Sequence, residues 1–254
     1  MELFEVFYSP MTAHSPHFPH PSKSDSLILF ARPPVPGRAK TRLIPALGEE
    51  GAARLYEAFL ADAAGVARAA RRARASVSLS AEWALGEETQ GGQFIGGAPP
   101  FGEWLPGPFL HRAQTGADLG ARMAAAMGRR LAWGGSAVLM GTDLPDLPPE
   151  IPLEAFSALE RMGKNGAVLG PAADGGYYLI GLGRPAAGAF TSHVWGSGRV
   201  LETTRNALAA QGFSVHLLPE WRDVDGPDDL AALKARLAAA PATAAPHTRA
   251  ALIE

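Results

Sequence analysis

The sequence predicts an α/β fold built on a parallel or mostly parallel sheet. Short apolar runs of strand length recur along the chain, and amphipathic helical patterns separate them. Several of those runs also empty into loops that deliver charged residues just ahead of a helix. Strands alternating with helices imply right-handed crossovers and helices packed on the sheet.

The first run, Leu27-Ile28-Leu29-Phe30-Ala31, opens into Arg32-Pro33-Pro34-Val35-Pro36-Gly37-Arg38-Ala39-Lys40-Thr41-Arg42-Leu43. Prolines remove helix and ladder potential there, and Gly37 permits backbone geometry closed to other residues. A rigid loop carrying Arg32, Arg38, Lys40 and Arg42 between a strand and a helix suits a phosphate group. It is neither a Walker loop nor a G-x-G-x-x-G fingerprint. Residues 48–74 then read as a helix, with Leu55, Phe59, Ala63 and Val66 on one face and Glu49 and Glu50 near its start. Strands are expected at 75–81, 137–141, 167–170, 177–182 and 213–218, and helices at 118–133, 150–162, 198–211 and 227–239. The last helix has Asp225 or Gly226 as its candidate N-cap and Pro227 in its first turn. Residues 86–108, dense in Gly and Pro, read as a substrate-facing flap or a partly ordered insertion.

Composition narrows the function. At 254 residues, 47% hydrophobic and 19% charged, the chain has ordinary globular content and enough length for a sizeable core. A net charge of -2 argues against a general nucleic-acid binder. The absence of cysteine excludes disulfides, thiolate catalysis and zinc–cysteine sites. No apolar run approaches the ~20 residues that span a bilayer. Residues 1–24 lack a secretory pattern and read as a flexible extension, and 240–254 read as a flexible tail, leaving 25–239 as one folded domain. His14, His17 and His20 fall at three-residue spacing, but the prolines at 16, 19 and 21 favour a mobile tail over a metal site. The expected compartment is the cytoplasm.

Three further segments carry chemistry. In Gly141-Thr142-Asp143-Leu144-Pro145-Asp146, an acid follows a buried strand at the sheet end where ligands collect. Asp143 facing a nucleotide phosphate suits Mg²⁺, and Asp146 suits the N-cap of the next helix. In Asp223-Val224-Asp225, the two acids point the same way in extended chain, so one can approach a metal held by Asp143; capping the last helix is the competing reading. In Gly170–Tyr178, Asp174 sits in a tight Asp-Gly turn, where it can hydrogen-bond a sugar or acceptor hydroxyl, although Asp-Gly is also ordinary hairpin chemistry. Gly116 can touch a base or ribose, while capping accounts for most of Asp118. Trp195 reads as an acceptor platform or a core aromatic. His111, His193 and His216 share no spacing with a nucleophile, so no Ser/His/Asp triad is supported.

The series PGRAKTRL (36–43), QTGADLGARM (114–123), GTDLPDLP (141–148), LGPAADGGYYLIGL (169–182), WGS (195–197) and DVDGPDDL (223–230) resembles a bacterial and archaeal family of transferases. Its members carry the labels arsenosugar-biosynthesis-type glycosyltransferase and radical-SAM/selenodomain-associated transferase. The family is similar to nucleotide-diphospho-sugar transferases of GT-A fold, and the resemblance runs from about Leu27 to Leu237. It implies a three-layer α/β/α domain with a mixed, mostly parallel sheet, and one divalent metal, Mg²⁺ or Mn²⁺, between acids at the sheet end. By that likeness Arg38, Lys40 and Arg42 contact phosphates, and Asp143 and Asp225 hold the metal. Arg32, Gly37, Gly116 and Asp118 join the nucleotide-binding set, and Lys40, Asp143 and Asp174 are the expected catalytic residues. Two departures stand out: Asp143 does not complete an Asp-x-Asp, an arrangement closer to nucleotidyltransferases, and Gly226 replaces a small hydroxyl residue.

The leading expectation is a metal-dependent transfer of sugar from a nucleotide-diphospho-sugar to a small acceptor. The alternatives are a nucleotidyltransferase joining a nucleoside triphosphate to a phosphorylated small molecule, and a nucleotide-binding module without turnover.

Overall fold

Side-chain alternation along the strands sets the layering. In β1 (Ser26–Ala31), Leu27, Leu29 and Ala31 enter one hydrophobic cluster and Ile28 enters the other. The computed structural model describes residues 24–85, 89–90, 93–94, 100–186, 188–191 and 195–253. After β1 come α1 (Ile44–Ala73), β2 (Ser78–Trp83), β3 (Thr89–Gln90), β4 (Gln93–Phe94), α2 (Phe101–Trp104), β5 (Phe109–Ala113), α3 (Leu119–Leu131) and β6 (Ala137–Gly141). The second half adds α4 (Glu150–Met162), β7 (Gly166–Pro171), β8 (Tyr177–Leu182), α5 (Val200–Ala210), β9 (Ser214–Leu217), α6 (Pro227–Ala239) and α7 (Pro246–Ala251).

Seven strands form one sheet in the order β5-β2-β1-β6-β8-β7-β9. Only β8 runs against the others, pairing antiparallel with both β6 and β7. Helices α1, α4, α6 and α7 cover one face, and α3 and α5 cover the other. The result is the expected three-layer α/β/α domain. The exits of β1, β2, β5, β6, β7 and β9 and the start of β8 therefore share one end of the sheet, where ligands collect in open α/β folds.

Where the structure departs from expectation, the causes are local. Residues 240–253 do not form a loose tail: α7 packs on α1, where the buried Asp62 carboxylate accepts from His247 N (3.1 Å), Thr248 N (2.9 Å) and Thr248 Oγ1 (2.7 Å). Asp146 does not cap α4. It holds Arg236 of α6 at 2.6 Å and accepts from Trp221 Nε1, while Pro149 stands at the N-cap. β5 escaped notice because an edge strand reading Phe-Leu-His-Arg-Ala lacks a continuous apolar run. Within 86–108, α2 stacks Phe101 on Trp83, with centroids 5.0 Å apart. His14, His17, His20 and His193 lie outside the described residues. Among the described residues, no helix is long and apolar enough to cross a membrane.

Candidate functional site

The cationic loop leaves β1 as a turn in which Val35 O accepts from Arg38 N and Ala39 N. Gly37 takes φ +75°, as its position in the motif requires. The unusual residue is Lys40, a non-glycine at φ 47°, ψ 47°, in the left-handed region. Such a conformation costs of order 1–3 kcal/mol and persists only where the surroundings enforce it.

The enforcing contacts are polar. Lys40 Nζ lies 2.6 Å from Asp143 Oδ1 and 3.0 Å from Asp225 Oδ1, and donates to Val224 O at 2.7 Å. The rings of Tyr56 and Phe59 lie below it, with centroids at 5.7 and 5.8 Å. Burial works to lower the Lys40 pKa, but Asp143 and Asp225 outweigh it and hold the ammonium above its usual range.

Three strand exits bring these groups together. Asp143 follows β6. The segment after β9 folds back on it through Val224 N donating to Asp143 O, Trp221 N to Pro171 O and Ala173 N to Trp221 O. Neither Asp223 nor Asp225 caps α6: Gly226 stands at its N-cap, and Asp229 accepts from the N–H groups of Asp225 (3.2 Å) and Gly226 (2.9 Å). Burial, then the charges of Asp225, Asp174 and Asp143, push the Asp223 carboxyl up to about 6.

Tyr56 joins the exits of β1 and β6 from inside. Its hydroxyl accepts from Arg32 N at 3.0 Å and shares a 2.9 Å hydrogen bond with Thr142 Oγ1. Burial, followed by the nearby Asp143 charge, pushes the phenol up to about 12, so it stays protonated. Sequence reading missed this residue. The available signal was a tyrosine on the apolar stripe of α1, which needs a polar partner once buried.

Two cavities meet at Arg32, Tyr56 and Asp143. One, of about 300 Å³, is lined by Arg38, Lys40, Thr41, Arg42 and Asp225 as well as the three shared residues. The other, of about 370 Å³, runs beneath Gln114, Arg122 and Met123 to Asp174, Tyr177, Trp195 and Asp223. Of the expected nucleotide-binding residues, Arg32, Arg38, Lys40 and Arg42 line the cationic cavity, while Gly37, Gly116 and Asp118 line neither. Asp118 caps α3 by accepting from Ala121 N at 2.8 Å. Asp174 belongs to the second cavity, where its Oδ1 accepts from Gly176 N at 2.8 Å. Gly120 lets α3 approach this wall: a Cβ there would meet Trp195 at 2.8 Å and collide with Phe190 O. His111 accepts from Trp83 Nε1 and His216 pairs with Glu154, so neither activates a nucleophile.

The donor chemistry fits a hard divalent cation. Asp143 and Asp225 offer carboxylate oxygens that converge on one positive charge, at present the Lys40 ammonium. Among the described residues, no group of three or more His, Cys, Asp or Glu gathers to hold a metal. Two carboxylates, with phosphate and water supplying the rest, is the ligand balance that Mg²⁺ accepts.

A mixed seven-stranded sheet with a cationic loop and acids at one end defines a domain of nucleotide-diphospho-sugar transferase fold. The family DUF2064, described as an uncharacterized protein conserved in bacteria, matches residues 63–197, and the chain belongs to it. A crystal structure from Desulfovibrio desulfuricans G20, provisionally named a nucleotide-diphospho-sugar transferase, is similar at 32% identity and a TM-score of 0.76, over 91% of this chain and 94% of that one. A 4-diphosphocytidyl-2C-methyl-D-erythritol synthase from Anaerococcus prevotii DSM 20548 shares the fold at 10% identity and a TM-score of 0.52, over 85% of this chain and 97% of that one. None of the curated proteins matches.

Proposed function

We propose that the protein is a metal-dependent glycosyltransferase that moves a sugar from a nucleotide-diphospho-sugar to a small acceptor. The observation that carries this reading is the pair of joined cavities, one cationic and one of mixed apolar and polar lining, meeting at Asp143. A diphosphate fits the cationic side, where Arg32, Arg38 and Arg42 supply donors matched to phosphate oxygens. As the bond to the sugar lengthens, negative charge grows on that diphosphate, and fixed cations stabilise it most where water is excluded. Asp143 and Asp225 would hold Mg²⁺ or Mn²⁺, which supplies further charge neutralisation to the leaving group. Lys40 keeps the two acids together and adds its own charge beside the phosphates. Nucleotide sugars are cytoplasmic metabolites, so the cytoplasm is the proposed compartment.

One observation favours a second reading. Asp143 stands alone after Gly141 and Thr142, without a second acid two positions on, which suits nucleotidyl transfer from a triphosphate with release of pyrophosphate. The test is to incubate the protein and Mg²⁺ or Mn²⁺ with nucleotide sugars or nucleoside triphosphates plus acceptors, and to read the products by mass spectrometry. Nucleoside diphosphate release supports glycosyl transfer; pyrophosphate with a new nucleotide conjugate supports the second reading. Binding without turnover leaves a nucleotide-binding module. Full metal-stimulated turnover by Asp143→Asn would remove Asp143 from the metal site.

A further inference from the structure

The larger cavity has two unlike walls, and the topology orders them. Gln114 after β5, Ala84 after β2 and Arg32 after β1 lie on one side of Asp143. Tyr177 at the start of β8, Asp174 between β7 and β8, and Asp223 after β9 lie on the other. Both arginines of the lining, Arg32 and Arg122, come from the first half of the chain, on the β1 exit and on α3. Arg122 is turned to the loop ahead of α3, its Nε donating to Gly116 O at 3.2 Å. No Lys or Arg beyond Asp143 in the chain lines this cavity among the described residues; the charges beyond Asp143 are the two acids Asp174 and Asp223. The second-half lining beside those acids includes Tyr177, Trp195 and Val200, and Met123 of α3 meets the Tyr177 hydroxyl at 4.0 Å. Burial raises the Tyr177 phenol well above its ordinary range, so that ring is a neutral wall.

We propose that this second-half wall is the acceptor subsite, and that it takes an uncharged molecule with an apolar or aromatic body and a free hydroxyl, not a phosphorylated acceptor. The assignment rests on the glycosyl-transfer reading above. Two carboxylates repel a phosphate monoester, whereas a hydroxyl can donate to them. Trp195 and Tyr177 give an aromatic body surface to pack on. The Asx turn at Asp174 fixes its carboxylate through Gly176 N donating to Oδ1. In the transfer, the acceptor oxygen bonds to the anomeric carbon of the sugar. The bond from that carbon to the diphosphate breaks, its electron pair leaves with the nucleoside diphosphate, and the hydroxyl proton passes to Asp174.

The test uses the full chain with Mg²⁺ or Mn²⁺ in two arms. In the donor arm, calorimetry measures binding of UDP-, GDP- and dTDP-hexoses. In the acceptor arm, aryl and alkyl alcohols are compared with their own phosphate monoesters for acceleration of donor consumption. The alcohols are expected to accelerate it at least tenfold more than their phosphates. Trp195→Ala is expected to raise the acceptor KM about tenfold with the donor Kd unchanged, and Asp174→Lys to shift preference toward the phosphates. Donor binding with phosphates preferred, with no acceptor class effective, or with an unchanged acceptor KM in Trp195→Ala overturns the acceptor assignment alone. Failure of every nucleotide sugar to bind overturns the glycosyl-transfer reading itself, and the acceptor assignment with it.

Discussion

Replacing Lys40 with methionine keeps the length of the side chain and removes the charge that holds Asp143 and Asp225 together. Their Oδ1 atoms lie 2.6 and 3.0 Å from Nζ, so the variant leaves two carboxylates facing each other. At a separation of about 5 Å and an effective dielectric of ~20, their repulsion is about 3 kcal/mol. Lys40 is 6% exposed, but its partners are 40% and 46% exposed, so water screens part of that term. The net loss is therefore placed at about 2–3 kcal/mol, at or below the ~3–5 kcal/mol for breaking a fully buried pair. For a chain of this size that lowers Tm by roughly 4–12 °C in EDTA at pH 7.5. Mg²⁺ should then stabilise the variant by about 2.7 kcal/mol at a hundredfold excess over its Kd, and the parent by less. Thermal melts of both proteins with EDTA and with a Mg²⁺ titration measure both effects. Equal Tm values in EDTA, or an equal Mg²⁺ response, would refute the view that lysine and metal neutralise the same pair of carboxylates.

Tyr56→Phe deprives Arg32 N of its acceptor and Thr142 of its partner, at a cost of about 1–3 kcal/mol in urea unfolding and a weaker nucleotide affinity; an unchanged midpoint would count against the bridge. Asp62→Ala removes the acceptor of three hydrogen bonds to α7 and should cost about 3 kcal/mol, with hydrogen exchange accelerated at 246–251 ahead of the sheet; protected α7 amides would contradict the latch. Asp223 sits at about 6 in the folded chain against ~3.9 when unfolded, so its ionisation opposes folding. That penalty is absent below pH ~4 and complete above pH ~6. Asp223→Asn should thus match the parent near pH 4 and exceed it at pH 8, and an Asn variant less stable at pH 8 would reverse the assignment.

Much of the sheet was legible because its strands are buried on both faces. The apolar runs at 137–141 and 177–182 match β6 and β8 end to end, and the signals at 150–162 and 227–239 match α4 and α6. β5 was not legible, since an edge strand needs no continuous apolar run. Nor was α7: a short Ala/Pro/Thr segment reads as a tail until Asp62, nearly two hundred residues earlier, receives its N–H groups.

The same division runs through the site. Local sequence by itself determined the cationic loop, the acid after β6 and the acid pair before α6, because each depends on a strand exit and the residue types beside it. It could not determine that Lys40 bridges Asp143 and Asp225, that Asp146 serves Arg236 instead of capping α4, or that Tyr56 ties Arg32 to Thr142. Those pairings join residues between 24 and 185 positions apart. Local propensity carries no record of such partners. Only the sheet order, by bringing β1, β6 and the segment after β9 to one end, brings these charges within reach of one another.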